Sequence, residues 1–177
     1  LRVLAAFTEE HMTLSTFVNE VVKPYIAQNF PGIKIESVVF DPAGMAGENV
    51  KGATSDFKIL KRAFGDVVKP AITNKLKTPI NAVDHFFSKL NRGQPAIIFD
   101  KQRCNILRQG CLKHYVWRKN KSTDEVIYEP LKNKYSHNQD ALQYECLMIA
   151  QRIEQFSNKS KTYLKPPLNA PYVSYYA

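Results

Sequence analysis

Leu14, Phe17, Val18, Val21, Val22, Tyr25 and Ile26 recur at i, i+3 and i+4 and predict an amphipathic helix. Thr13 or Ser15 caps it, Pro24 kinks it and Pro31-Gly32 ends it. Before it, residues 2–7 form a short strand-like run. After it, residues 33–40 read as a strand whose end, Val38-Val39-Phe40, is apolar on both faces, as inside a covered sheet. That strand stops at Asp41-Pro42-Ala43-Gly44, and a glycine-bearing loop continues through Gly47 and Gly52. Ser55 or Thr54 starts a second helix through Phe57, Leu60 and Phe64, closed by Gly65.

The alternation continues with a short strand at Val67-Val68, an amphipathic helix over 81–90 ending near Gly93, and a strand over 95–99 that ends in Asp100. Residues 112–118 and 125–128 read as two strands joined by the polar turn Asn120-Lys121-Ser122-Thr123, a β-hairpin. The last helix opens at Ser136-His137-Asn138-Gln139, which has capping-box spacing, and runs through Leu142, Cys146, Ile149 and Ile153. From Lys165 the Pro- and Tyr-rich tail has no periodicity and is expected on the surface or around a neighbour. Strands alternating with helices, plus a hairpin before the last helix, predict an α/β domain with a mixed β-sheet. Its expected extent is 1–164, with 165–177 as a separate tail.

Composition narrows the class. With 177 residues, 44% apolar and 23% charged, the chain is long enough for one domain and is not globally disordered. No stretch reaches the roughly 18 consecutive apolar residues of a membrane span. The N-terminus has no basic-then-apolar signal pattern, and Leu1 reads as the middle of a chain. Three cysteines (Cys104, Cys111 and Cys146) make no disulfide framework, which points to a reducing compartment. GxxxxGK[ST] and GxGxxG are absent, which removes the obvious nucleotide-binding classes.

The net charge of +9 is unevenly spread. Residues 1–57 hold 4 Lys/Arg against 7 Asp/Glu, residues 58–121 hold 15 against 3, and residues 122–177 hold 6 of each. A positive middle third suits a polyanion such as nucleic acid, because each neutralised phosphate releases counterions. A solvated basic surface is the bland alternative.

Three carboxylates stand out. Asp41 directly follows a buried strand, where α/β sheets expose ligands; it also fits a turn aspartate that caps its own loop. Asp140 falls near the start of the last helix with His137 one turn before it, behind Lys132 and Lys134. Two lysines before a helix presenting His and Asp suit a hard cation held together with a phosphate, although a dipole-stabilising aspartate fits the same place. Asp100 has Lys101 and Arg103 beside it and reads as structural. Cys104, Cys111 and His114 match no zinc signature. His114, Tyr115 and Trp117, beside Arg118 and Lys119, suit base stacking or one packed face of a strand.

Asp41-Pro42-Ala43-Gly44 followed by Ser55-Asp56-Phe57-Lys58-Ile59-Leu60, then Gly93-Gln94-Pro95-Ala96-Ile97-Ile98-Phe99-Asp100, Arg103-Cys104 and Leu107-Arg108-Gln109-Gly110, resemble in order the nuclease domain of the large terminase subunit of tailed bacteriophages. The closest match is Lys132-Asn133-Lys134-Tyr135-Ser136-His137 with Asp140-Ala141-Leu142-Gln143-Tyr144. Together these strings span about residues 1–155. The resemblance implies an RNase H-like fold and two-metal hydrolysis of phosphodiester bonds in concatemeric double-stranded DNA, with two divalent cations, Mg²⁺ or Mn²⁺.

It further implies that Asp41 and Asp140 are metal-binding, catalytic carboxylates, with His137 a further catalytic candidate. Arg118, Lys119, Lys121, Lys132 and Lys134 are expected to hold DNA. The implied setting is the host cell cytoplasm, with an ATPase domain of the full-length protein, the small terminase subunit and the portal as partners. Two departures stand out. Asn138 replaces a proline common in the family and leaves the capping spacing intact. Residues 2–7 resemble the family's third strand and no residue matches its first catalytic aspartate, so either the chain is a fragment of a longer protein or its first strand is misplaced. The competing reading is an RNase H-like module that binds DNA through the basic middle third with an incomplete metal site.

Overall fold

The computed structural model describes residues 1–46, 54–75 and 77–157. The glycines at 47 and 52 and the tail over 165–177 lie outside them, as does the expected domain boundary after 164. The described chain is mixed α/β. Its strands pair two by two: β1 (Arg2–Val3) with β6 (Ile98–Phe99) and β2 (Val38–Phe40) with β3 (Val68–Pro70) are parallel. By contrast, β4 (Leu90–Asn91) with β5 (Gln94–Pro95) and β7 (Trp117–Lys119) with β8 (Val126–Pro130) are antiparallel. Four short ribbons thus stand where one mixed sheet was expected. The strand expected over 33–40 pairs only at its end because β3 offers three partners, and Ile33 is 55% exposed.

The first helical stretch comprises α1 (Leu14–Thr16), a wider π-helical segment (Phe17–Val22) and α2 (Lys23–Asn29). Thr13 is the cap, accepting the Thr16 N–H at 3.2 Å. The widened segment meets the α-helix at Pro24, whose missing N–H removes one i→i−4 bond. Ser55 caps α3 (Asp56–Phe64), accepting from Lys58 N–H, and Gly65 closes it.

The helix expected over 81–90 begins earlier, as α4 (Lys77–Ser88). Pro79 lies in its first turn, where no N–H is needed. After α4 the chain makes a tight hairpin instead of running into a single strand. Arg92 and Gly93 both take positive φ (52° and 79°), the conformation of a two-residue turn matching strand twist.

Residues 112–114, expected in a strand, are helical. They extend α5 (Asn105–Gln109) through a π-helical turn (Gly110–His114), which Tyr115 N–H closes by donating to Gly110 O at 2.9 Å. Extending an existing helix costs far less than nucleating a new element. The β7–β8 hairpin and the long α6 (Ser136–Ser157) form as expected.

Two apolar clusters hold these elements. Phe86 from α4, Ile97, Cys104, Leu107 and Leu142 with Leu147 from α6 make the larger one, and α4 packs along α6. Val18, Leu60 and Val68 make the smaller. Full burial of each Leu contributes about 1.5–3 kcal/mol. β2 also lies against α6, bringing the strand that carries Asp41 to the helix that carries Asp140.

Candidate active site

Asp41 follows β2 and caps a 3₁₀ turn (Pro42–Met45), its Oδ1 accepting the Ala43 N–H at 2.9 Å. Gly44 packs close under this turn. A Cβ there would lie 3.0 Å from the Phe40 ring and 3.1 Å from Asp56 Cβ, so a larger residue would push the turn off its strand. The parallel partner β3 ends at the same edge, and beyond it Asn74 Nδ2 reaches Asp41 Oδ1 at 3.4 Å. Asp41 is therefore both a loop cap and an exposed carboxylate at the carboxyl end of two parallel strands.

Asp140 is held on both oxygens. Lys132 Nζ lies 2.7 Å from Oδ2, and the Tyr115 hydroxyl lies 3.5 Å from Oδ1. Tyr115 in turn accepts from Gln143 Nε2 at 2.7 Å, which leaves its own hydrogen for Asp140. Burial raises the Tyr115 phenol to about 12, and the Asp140 charge adds to the rise.

Tyr144 follows on α6. Burial pushes its phenol well above the usual tyrosine range; a hydrogen bond to Asp41 and the negative charges of Asp41 and Asp140 push it further. Tyr144 lies one turn beyond Asp140 on α6, and that i, i+4 spacing is the signal by which the sequence could have revealed it. Tyr115 and Gln143 are the other site residues that sequence reasoning did not assign.

The last helix starts differently from the capping box. Ser136 Oγ donates to Asn133 O at 2.6 Å, and Asn133 Oδ1 accepts the Tyr135 N–H at 2.9 Å. Asn133 Nδ2 donates to His114 O at 2.9 Å, which ties the helix start to the end of the π-helical turn. Gln139 sends its amide to Leu107 O at 2.9 Å. Gly110 makes room for it, since a Cβ there would sit 2.4 Å from Gln139 Nε2. Asn138 donates to Thr8 Oγ1.

His137 stands apart. It is exposed and lines an open cleft of about 320 Å³ with Thr8, Glu9, Glu10, His11, Asn133 and Lys134, to which neither Asp41 nor Asp140 contributes. Lys134 Nζ also lies 5.2 Å from the centre of the Tyr135 ring, which stacks on His114 at 4.3 Å. Arg118 pairs with Glu129 at 2.7 Å and Lys119 with Asp124 at 3.2 Å, both on the hairpin surface, with Lys121 exposed in its turn. Trp117 meets Tyr128 edge-on across the hairpin. Asp100 turns its Oδ1 to the N–H groups of Arg103 and Gln102, and the Arg103 bond first among causes holds it below the ordinary carboxylate range. Cys104 is buried and donates to Val3 O, whereas Cys111 faces Gln139.

Among the described residues no group of three or more His, Cys, Asp and Glu is placed to hold a metal ion. Asp41 and Asp140 each offer carboxylate oxygens, the donor type that Mg²⁺ and Mn²⁺ take. Such a hard cation takes one or two carboxylates from the protein and completes its shell with water and phosphate oxygens. Among the described residues no helix is long and apolar enough to cross a membrane. No protein-family model matches the chain, and no curated protein or solved structure matches it.

Proposed function

We propose that the chain is an RNase H-like nuclease domain of the tailed-phage terminase kind, hydrolysing phosphodiester bonds of double-stranded DNA. One observation carries the reading: β2, whose carboxyl end holds Asp41, packs against α6, which holds Asp140. This is where open α/β folds gather ligand-binding groups, and the order of motifs along the chain agrees with it.

Asp41 and Asp140 would hold two divalent cations, Mg²⁺ or Mn²⁺. When bound, these supply an activated water and neutralise charge at the leaving 3′ oxygen. The chain's own residues do the rest. Tyr115, fixed by Gln143, would steady Asp140. Lys132 and Lys134 precede the helix, and Arg118, Lys119 and Lys121 sit on the hairpin; together they would grip phosphates without reading sequence. Concatemeric viral DNA in the host cell cytoplasm would be the substrate, and the ATPase domain, small subunit and portal the partners.

The test is cleavage of supercoiled plasmid. In Mn²⁺ or Mg²⁺ the protein should nick and degrade it without sequence preference, and EDTA should stop the reaction. Asp41→Asn or Asp140→Asn should retain DNA binding and lose cleavage. Cutting that survives chelator contradicts the proposal, and binding without any cutting favours the incomplete binding module.

A further inference from the structure

Asp140 carries two unlike partners. Its Oδ1 is addressed from inside, by the half-buried Tyr115 that Gln143 fixes; Gln143 is itself only 5% exposed. Its Oδ2 is addressed from outside, by Lys132, whose side chain is 68% exposed against 26% for Asp140. The inner partner is rigid. The outer one is a flexible stem with a single charged head, in the short link between the hairpin and α6.

An ammonium 2.7 Å from a carboxylate oxygen stands where a cation bound to that oxygen would stand. A divalent cation on the same oxygen would repel the ammonium and weaken its hold there. Resting on the metal-dependent reading above, we infer that Lys132 is a tethered counter-ion of Asp140 that a divalent cation displaces and that bound DNA then receives on a phosphate. Lys132 thereby does two jobs in sequence. It neutralises Asp140 while the site is free of metal, and it joins the DNA grip once the metal arrives. Metal and DNA binding are coupled through one side chain.

Competition with an exposed ion pair is modest, so its removal should tighten metal binding about two- to fivefold. The experiment is calorimetric titration of the protein with Mn²⁺ in the absence of DNA, for wild type, Lys132→Met, Lys132→Arg and Asp140→Asn. Lys132→Met should bind Mn²⁺ about two- to fivefold more tightly, Lys132→Arg like wild type, and Asp140→Asn far more weakly. In a parallel DNA titration with the divalent cation present at saturation, Lys132→Met should bind less well than wild type, its salt slope falling by up to ~0.9. Lys132→Met with unchanged or weaker Mn²⁺ affinity, while Asp140→Asn loses it, overturns this inference and leaves the nuclease reading standing. Equal Mn²⁺ binding by wild type and Asp140→Asn overturns both.

Discussion

Gln143 Nε2 donates at 2.7 Å to the Tyr115 hydroxyl, and that hydroxyl faces Asp140 Oδ1 at 3.5 Å. One helix thus supplies both the carboxylate and, three residues on, the amide that orients the phenol addressing it.

Tyr115→Phe removes the acceptor of a buried amide and the donor to Asp140 together. A buried polar group left without a partner costs about 1–3 kcal/mol. Urea denaturation should show a loss of that size with an unchanged m-value. A midpoint equal to wild type would mean that the Gln143–Tyr115–Asp140 chain does not form in solution.

The same phenol predicts a stability change at high pH. Its folded value of about 12 exceeds the ordinary 10.0, so the folded state holds the proton more tightly than the unfolded state. The resulting stabilisation is fully present below pH 10 and is lost as pH rises from about 10 to about 12. Absorbance at 295 nm should show at least one tyrosine ionising only above pH 11, and Tyr115→Phe should flatten the fall in stability over that window. Tyr144 moves in the same direction for the same first cause, burial. Ionisation of every tyrosine near pH 10 would contradict both.

Two of the hairpin cations, Arg118 and Lys119, are engaged by Glu129 and Asp124 in the folded chain. Freeing them should strengthen DNA binding. Asp124→Asn with Glu129→Gln should raise affinity for unrelated duplexes alike and steepen the dependence of log K on log salt. Replacing Arg118, Lys119 and Lys121 with Ala should do the reverse. If neither set changes affinity or salt slope, the hairpin does not touch DNA.

Much of the scaffold around Asp41 was legible in the sequence. Ser55 and Gly65 bracket α3 as their chemistry requires, Val68 pairs beside Val38, and Asp41 stands at the strand end. The start of α6 was not. Ser136 and Gln139 have capping-box spacing, yet Gln139 is drawn to Leu107 O across Gly110, and Asn133 organises the turn in place of Ser136. That choice depends on Leu107, 32 residues upstream, which local spacing does not encode. Residues 112–114 failed for a related reason, because their pattern is short and α5 simply propagates through them. Tyr115 and Tyr144 look like core aromatics in a sequence. Only the packing of β2 on α6 brings the helix that bears Tyr144 to the strand that precedes Asp41.

If Asp41 and Asp140 share a divalent cation, diffraction from crystals soaked in Mn²⁺ will show an anomalous peak within coordination distance of oxygens from both carboxylates, with the Lys132 ammonium moved away from Asp140 Oδ2. A peak bound by neither carboxylate, or Mn²⁺ held only in the cleft of Glu9, Glu10, His11 and His137, would contradict it.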